Sequence, residues 1–193
     1  MFKSLYDSLI ALSASRHAPY ALAAVAFAES SIFPIPPDIL LAPMALAQPR
    51  RAWTFALICT VASVLGGMLG YAIGSLLFDT VGQWLIHLYG YADRIAALRE
   101  SYAKWGALVI LVKGVTPIPY KLVTITSGLL AYNVPLFVAL SVVTRGARFC
   151  LVAGALNWFG EPVRNAMERK FAAVLAAFVA VTALGFFIAM KVF

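Results

Sequence analysis

Two proline-containing interruptions, each flanked by charged residues, break long apolar stretches of this chain. The first runs from Glu29 to Asp38 and the second from Lys113 to Lys121. Prolines and charges are each disfavoured in a helix that faces lipid, so their combined occurrence at two places predicts breaks that are buried at a site. The prolines that set these breaks are Pro34, Pro36, Pro37, Pro117 and Pro119.

The composition is that of a membrane protein. Hydrophobic residues make up 63% of the 193 residues and charged residues 12%, whereas a soluble domain is about half apolar and a quarter charged. The net charge of +7 could suggest nucleic acid binding. The basic residues, however, lie in short loops and within apolar segments, where anionic lipid head groups account for them better. No nucleic acid partner is therefore expected.

An enzyme is the least favoured class. Cys59, Cys150, His17 and His87 have no ligand-type neighbours at useful spacing, so no metal is expected. No nucleophile–base set stands out, and no cofactor is predicted.

The predicted fold is an all-α polytopic membrane protein with a single domain, residues 1–193. The apolar arms beside each interruption are too short to cross a bilayer as helices, which needs about 20 residues. Each interrupted segment is therefore predicted to be a re-entrant hairpin. The predicted segments are an amphipathic surface helix (1–17), hairpin 1 (18–47), a transmembrane helix (52–78), an interfacial connector (79–105), hairpin 2 (106–131) and two further transmembrane helices (134–159 and 171–190).

One crossing separates the two hairpins, so they should enter from opposite faces of the membrane as an inverted repeat. The balance of basic residues predicts a cytoplasmic N-terminus and a C-terminus outside. Gly66, Gly70 and Gly74 share one helical face. This pattern predicts close packing against a neighbouring helix, and the same face could serve a homodimer.

Six ionisable residues lie within the predicted apolar segments. Each would cost about 2.5–3.5 kcal/mol if isolated at a helix centre, and the total exceeds the net stability of a typical domain. They must therefore pair, meet water or bind a ligand. The two acids are expected to face the two lysines, with the two arginines behind on one helical face. The six are Glu29, Asp38, Lys113, Lys121, Arg145 and Arg148.

Four bases against two acids leave a charge of +2, which suits a phosphate group that carries about −1.5 to −2. A structural role, in which ion pairs only hold the hairpins together, remains open for each of the six residues.

The two interruptions, together with Thr144-Arg-Gly-Ala-Arg148, resemble the DedA superfamily, also described as the VTT or SNARE-associated Golgi protein domain, and its YqaA-like branch. The resemblance covers about residues 20–160. It implies two opposed re-entrant hairpins in a bacterial inner membrane, movement of phospholipid or polyprenyl phosphate between leaflets, and links to the proton motive force. Glu29 and Asp38 match the family's acidic pair. Lys113 and Lys121 fall where many members have arginine, and a lysine can lose its proton more readily.

The leading hypothesis is a lipid transporter influenced by protons. Lys113, Lys121, Arg145 and Arg148 would bind a phosphate-bearing head group, and the two acids would exchange protons. One alternative is a proton-coupled transporter of a small ion or cationic solute, which would bind at the acids. Another is a non-transporting membrane-assembly protein whose charges hold the fold together.

Overall fold

The computed structural model describes residue 15 and residues 17–32, 36–82, 92–115 and 120–160. These ranges are helical with short turns and contain no strand, which confirms the all-helical class. A 3₁₀ turn at Pro49–Arg51 precedes the third helix, and a π-helical turn at Phe78–Gly82 follows it. The helices are α1 (Ala18–Ser31), α2 (Asp38–Ala47), α3 (Ala52–Leu77), α4 (Ala92–Val115), α5 (Tyr120–Leu129) and α6 (Val134–Trp158).

Both predicted interruptions separate helices. α1 ends at Ser31, and α2 begins at Asp38 directly after Pro37. Proline fits this position because its fixed φ suits the start of a helix and it has no N–H group to leave unpaired. The second break falls between α4 and α5. Pro34, Pro117 and Pro119 lie outside the described residues, and the re-entrant path of either hairpin stays a prediction.

Within the described residues, two helical stretches are long and apolar enough to cross a bilayer, namely Pro49–Thr80 and Val134–Trp158. They coincide with two of the three predicted transmembrane helices. The third, at 171–190, lies outside the described residues. So does the predicted amphipathic helix at 1–17, apart from residues 15 and 17.

The boundary predicted between the connector and hairpin 2, at residues 105–106, falls inside a helix. α4 is continuous from Ala92 to Val115. Charged and aromatic residues suggested an interfacial segment up to residue 105. The backbone nevertheless continues as helix, because no proline interrupts it. α4 thus joins part of the predicted connector to the first arm of hairpin 2, and the division between them stays a prediction.

Glycines on one face of α3 bring it into backbone contact with two other helices. A side-chain carbon at Gly66 would overlap the carbonyl of Phe27 in α1, and one at Gly74 would overlap the carbonyl of Ile125 in α5. The predicted close packing is confirmed, and within the described helices this face serves packing inside one chain.

The contact between α3 and α5 has glycine on both sides. On α5, a side-chain carbon at Gly128 would overlap the carbonyl of Tyr71 in α3. The α3–α5 crossing therefore depends on glycine in each helix.

Two apolar clusters fill the interior. One joins α1, α2, the N-terminal half of α3 and the C-terminal half of α6, with Leu22, Leu41, Phe55 and Phe149 fully or almost fully buried. The other joins α4, α5 and the N-terminal part of α6, and its buried residues are Ile110, Tyr120, Val123, Tyr132 and Phe137. Polar side chains lie between the two clusters, at mid-length of α3 and α6.

We expect Gly74→Ala to destabilise the protein by about 1–3 kcal/mol, because α3 and α5 must separate to admit the new methyl group. Gly146→Ala is the matched control. Its added carbon would meet only Thr60 Cγ2, at an ordinary contact distance of 3.7 Å. Thermal unfolding of both variants in one detergent tests this, and equal melting temperatures would contradict the backbone contact.

Candidate functional site

The polar layer between the two apolar clusters contains side chains from four helices. Ser30 of α1, Ser63 of α3, Thr124 of α5 and Thr144 and Arg145 of α6 are all at most 1% exposed. Ser63 and Arg145 lie near the middle of the two helices that can cross a bilayer. At that depth no bulk water is available, so polar groups need partners inside the protein or on a ligand.

Arg145 forms an ion pair with Glu29. Its Nη2 atom lies 2.6 Å from Glu29 Oε2, and the two side chains are 1% and 11% exposed. The guanidinium also lies between two aromatic rings, 4.9 Å from the ring centroid of Tyr120 and 4.8 Å from that of Phe149. These cation–π contacts offset part of the cost of taking the charge out of water.

Arg148 forms a second ion pair, with Asp38. Nη2 of Arg148 lies 2.8 Å from Asp38 Oδ2, and the side chains are 20% and 14% exposed. The prediction that Arg145 and Arg148 share one face of α6 is confirmed, because both reach residues that flank the first interruption. Asp38 is the first residue of α2, where the helix dipole favours a carboxylate.

The two acids pair with arginines from α6, and Lys121, one of the two lysines expected to face them, bonds elsewhere. The planar guanidinium fork suits a buried carboxylate better than the point charge of lysine. Lys121 instead donates from Nζ to the carbonyl of Ile32, at 3.2 Å, where α1 ends and its carbonyls need donors. The side chain of Lys113 lies outside the described residues.

The flanks of the two interruptions are in contact. Besides the bond from Lys121 to Ile32, the Thr124 hydroxyl lies 3.2 Å from the carbonyl of Ser30, and it shares its proton between this carbonyl and that of Lys121 at 2.9 Å. The start of α5 is therefore tied to the end of α1. Gly70 makes room for this contact, because a side-chain carbon there would overlap the hydroxyl of Thr124.

Hydroxyl groups extend the Glu29–Arg145 pair. Arg145 Nε donates to Ser63 Oγ at 2.6 Å, and Ser63 Oγ lies 2.5 Å from Ser30 Oγ. Sequence analysis missed Ser63, because nothing in the sequence distinguishes it from Thr60 and Ser75 in the same helix.

Two buried polar atoms of this site have no hydrogen-bond partner among the described residues. They are Nη1 of Arg145 and Oδ1 of Asp38. An unpaired buried donor or acceptor costs about 1–3 kcal/mol, and more when it is charged. A guanidinium donor suits an anion such as phosphate, and a carboxylate oxygen suits a proton or cation. The site is therefore equipped to take a ligand or a proton.

These features define a helical membrane protein whose described interior contains the Glu29–Arg145 and Asp38–Arg148 ion pairs. Within that class, the chain belongs to the VTT-domain family, also called the DedA family, because the VTT domain matches residues 35–157. The resemblance seen in the sequence is thereby confirmed. The matched range contains Asp38, Lys121, Arg145 and Arg148, and it begins shortly after Glu29.

The chain is similar to two uncharacterised bacterial proteins. One, from Haemophilus influenzae, is 36% identical over 188 residues, which cover 97% of each chain. The other, from Histophilus somni, is 36% identical over 175 residues, which cover 91% of this chain and 87% of the relative. No solved structure matches the chain.

We expect Glu29→Ala to destabilise the protein by about 3–5 kcal/mol, because it leaves the buried charge of Arg145 without its carboxylate. Glu100→Ala is the control. It removes an ion pair with Lys104 whose side chains are 71% and 68% exposed, and it should cost less than about 1 kcal/mol. Denaturant unfolding of both variants in the same micelles measures the difference.

The double variant Glu29→Gln/Arg145→Met should recover most of that loss, because neutral groups replace both charges. A double variant no more stable than Glu29→Ala would contradict the ion-pair account.

Proposed function

We propose that the protein moves phosphate-bearing lipid head groups between the two leaflets of the membrane, as a flippase or scramblase. The observation that carries this proposal is Arg145. It is buried at mid-length of a helix that can cross a bilayer, and its Nη1 atom has no partner among the described residues. A charged donor left open at this depth suits an anionic group on its way through the membrane.

The charge balance supports a phosphate ligand. If all groups are ionised, the Glu29–Arg145 and Asp38–Arg148 pairs cancel. Lys113 and Lys121 then leave a charge of about +2, which matches a phosphate monoester at neutral pH. The site need admit only the head group, because the acyl or prenyl tails stay in the membrane.

Movement of the head group requires that the contact between the two interruptions open. This contact includes two hydrogen bonds at 3.2 Å, from Lys121 and Thr124 to carbonyls at the end of α1. In the proposed cycle, the two opposed hairpins open alternately to each leaflet. Protonation of Glu29 or Asp38 neutralises the acid, so that the charge of its paired arginine becomes available to the phosphate. Return of the carboxylate charge expels the head group and couples the cycle to protons.

Proton-coupled transport of a small ion or cationic solute is the second candidate. Asp38 favours it, because its Oδ1 atom is buried and accepts no hydrogen bond within the described part of the chain. A carboxylate oxygen in that position suits a proton or a cation. In this candidate the arginines act only as counter-charges.

We expect neutralisation of the charged site to slow lipid movement at least about tenfold, because charge-assisted hydrogen bonds contribute about 1.5–3 kcal/mol each. The variants are Glu29→Gln/Arg145→Met and Lys113→Gln/Lys121→Gln. Liposomes containing the purified protein and a fluorescent lipid with a phosphate head group report the rate. The control, Glu100→Gln/Lys104→Gln, removes an exposed ion pair and should keep the original rate.

Folded variants that move lipid at the original rate would overturn the assigned roles and favour a non-transporting assembly protein. Uptake of a cationic solute into the same liposomes, without lipid movement, would favour the second candidate.

We further propose that the protein lies in the bacterial inner membrane with both termini as the sequence predicts, the N-terminus inside the cell and the C-terminus outside. The loop with the exposed residues Arg50 and Arg51 is then cytoplasmic. An Arg51→Cys variant that lacks Cys59 and Cys150 tests this. An impermeant thiol reagent should label it only after the membrane is permeabilised, and labelling in intact spheroplasts would reverse the orientation.

A further inference from the structure

Four side chains, those of Arg145, Ser63, Ser30 and Glu29, form a closed ring of hydrogen bonds. A guanidinium only donates, so Arg145 Nε donates to Ser63 Oγ at 2.6 Å. The Ser63 proton is then available to Ser30 Oγ at 2.5 Å, and Ser30 donates to Glu29 Oε2 at 3.2 Å. Arg145 Nη2 closes the ring by donating to the same Glu29 oxygen at 2.6 Å. When Glu29 is ionised it accepts from both Ser30 and Arg145, and Ser63 is then the donor to Ser30.

This ring determines how the three guanidinium nitrogens are used. Nη2 is held by Glu29 and Nε by Ser63, while Nη1 has no partner in the described part of the chain. In a bidentate arginine–carboxylate pair, a second carboxylate oxygen often takes the place that Ser63 occupies here. The Ser63 hydroxyl therefore keeps Glu29 bound through a single oxygen.

The surroundings leave the guanidinium little freedom. The Tyr120 and Phe149 rings lie on it at 4.9 and 4.8 Å, and Tyr120 is in turn hydrogen-bonded to Ser141. Ser63 is 0% exposed and belongs to α3, which has no charged residue from Ala52 to Leu77. The in-plane orientation of the guanidinium is thus fixed by Ser63 and Glu29, and its position is fixed by the two rings.

We propose that Ser63 is a positioning residue, whose hydroxyl holds Arg145 so that Nη1 is presented to an oxygen of a phosphate group. This inference rests on the proposed function, because it deepens the role of Arg145 in that site. The phosphate belongs either to a lipid head group or to free inorganic phosphate. Without the hydroxyl, Arg145 can turn its Nε edge to Glu29 and form a bidentate pair, which changes the direction in which Nη1 points.

Thr60 provides a matched control in the same helix. It lies nearly one turn before Ser63 and is also buried, but its hydroxyl donates to the carbonyl of Ala56 in its own helix, at 2.8 Å. Thr60→Val removes a buried hydroxyl from α3 at nearly constant volume. It leaves the ring around Arg145 intact.

The test uses the full chain in lipid nanodiscs, with the variants Ser63→Ala, Ser63→Thr and Thr60→Val. The first measurement is hydrogen exchange of the Arg145 Nε–H group by NMR, assigned through its loss in Arg145→Lys. We expect Ser63→Ala to accelerate this exchange at least about tenfold, since it removes a charge-assisted hydrogen bond. Thr60→Val should not accelerate the exchange. Ser63→Thr should protect the Arg145 Nε–H group as the original serine does, because it keeps the hydroxyl.

The second measurement is the concentration of phosphatidic acid, and separately of inorganic phosphate, that gives half of the maximal thermal shift. Ser63→Ala should raise it at least about tenfold, and Ser63→Thr should restore it. Dependence on Ser63 with both probes identifies phosphate in general as the ligand. Dependence with phosphatidic acid alone identifies the lipid head group.

If folded Ser63→Ala leaves the exchange rate of the Arg145 Nε–H group unchanged, the inference is overturned. The same holds if the half-saturating concentration of both phosphate probes is unchanged. If Ser63→Thr does not fold, the comparison of Ser63→Ala with Thr60→Val decides the question. The two proposals can fail separately. Ser63-dependent phosphate binding without lipid movement would reject transport and keep the positioning role. Lipid movement that needs Arg145 but proceeds normally in Ser63→Ala would keep the transport proposal and reject the positioning role of Ser63.

Discussion

A fully buried arginine in the middle of an apolar helix is the constraint on which the rest of this structure depends. Arg145 is 1% exposed, and an unpaired charge at this depth would be costly. Its partners come from three other helices. Glu29 supplies the opposite charge from α1, Ser63 a hydroxyl from α3, and Tyr120 a ring face from α5. The interruption of the first apolar segment then places Asp38 where it meets Arg148, so α6 is attached on both sides of the break.

The packing of the helices makes this arrangement possible. α1 and α5 reach the polar layer because α3 presents glycine to each of them, at Gly66 and at Gly70 and Gly74. Apolar clusters on either side of the layer exclude water and strengthen each electrostatic contact inside it. Small residues thus allow the helices to approach closely. The apolar clusters lower the local dielectric constant, and the ion pairs satisfy the buried charges.

Much of this fold could be predicted from the sequence, because local rules determine it. Prolines separate α1 from α2, and the three-residue spacing of Arg145 and Arg148 puts both on one face of α6. The partners of the acids could not be predicted. They depend on how the helices on either side of each break are rotated relative to one another. The hydrophobic periodicity of the sequence does not determine the backbone path through the break. Ser63 was missed for a related reason, since only its position opposite Arg145 distinguishes it from the other hydroxyl-bearing residues of α3.

The crossing of α3 and α5 has a further mechanical consequence. Gly74 lies against the α5 backbone and Gly128 against the α3 backbone, whereas the side chain of Thr124 fills the space beside Gly70. Closely packed helices can be displaced by small sliding movements, as in shear motion. A small translation of α5 along α3 would draw Thr124 away from Ser30 while leaving both arginine pairs of α6 in place. Close glycine packing is therefore compatible with a small sliding movement that leaves the ion pairs intact.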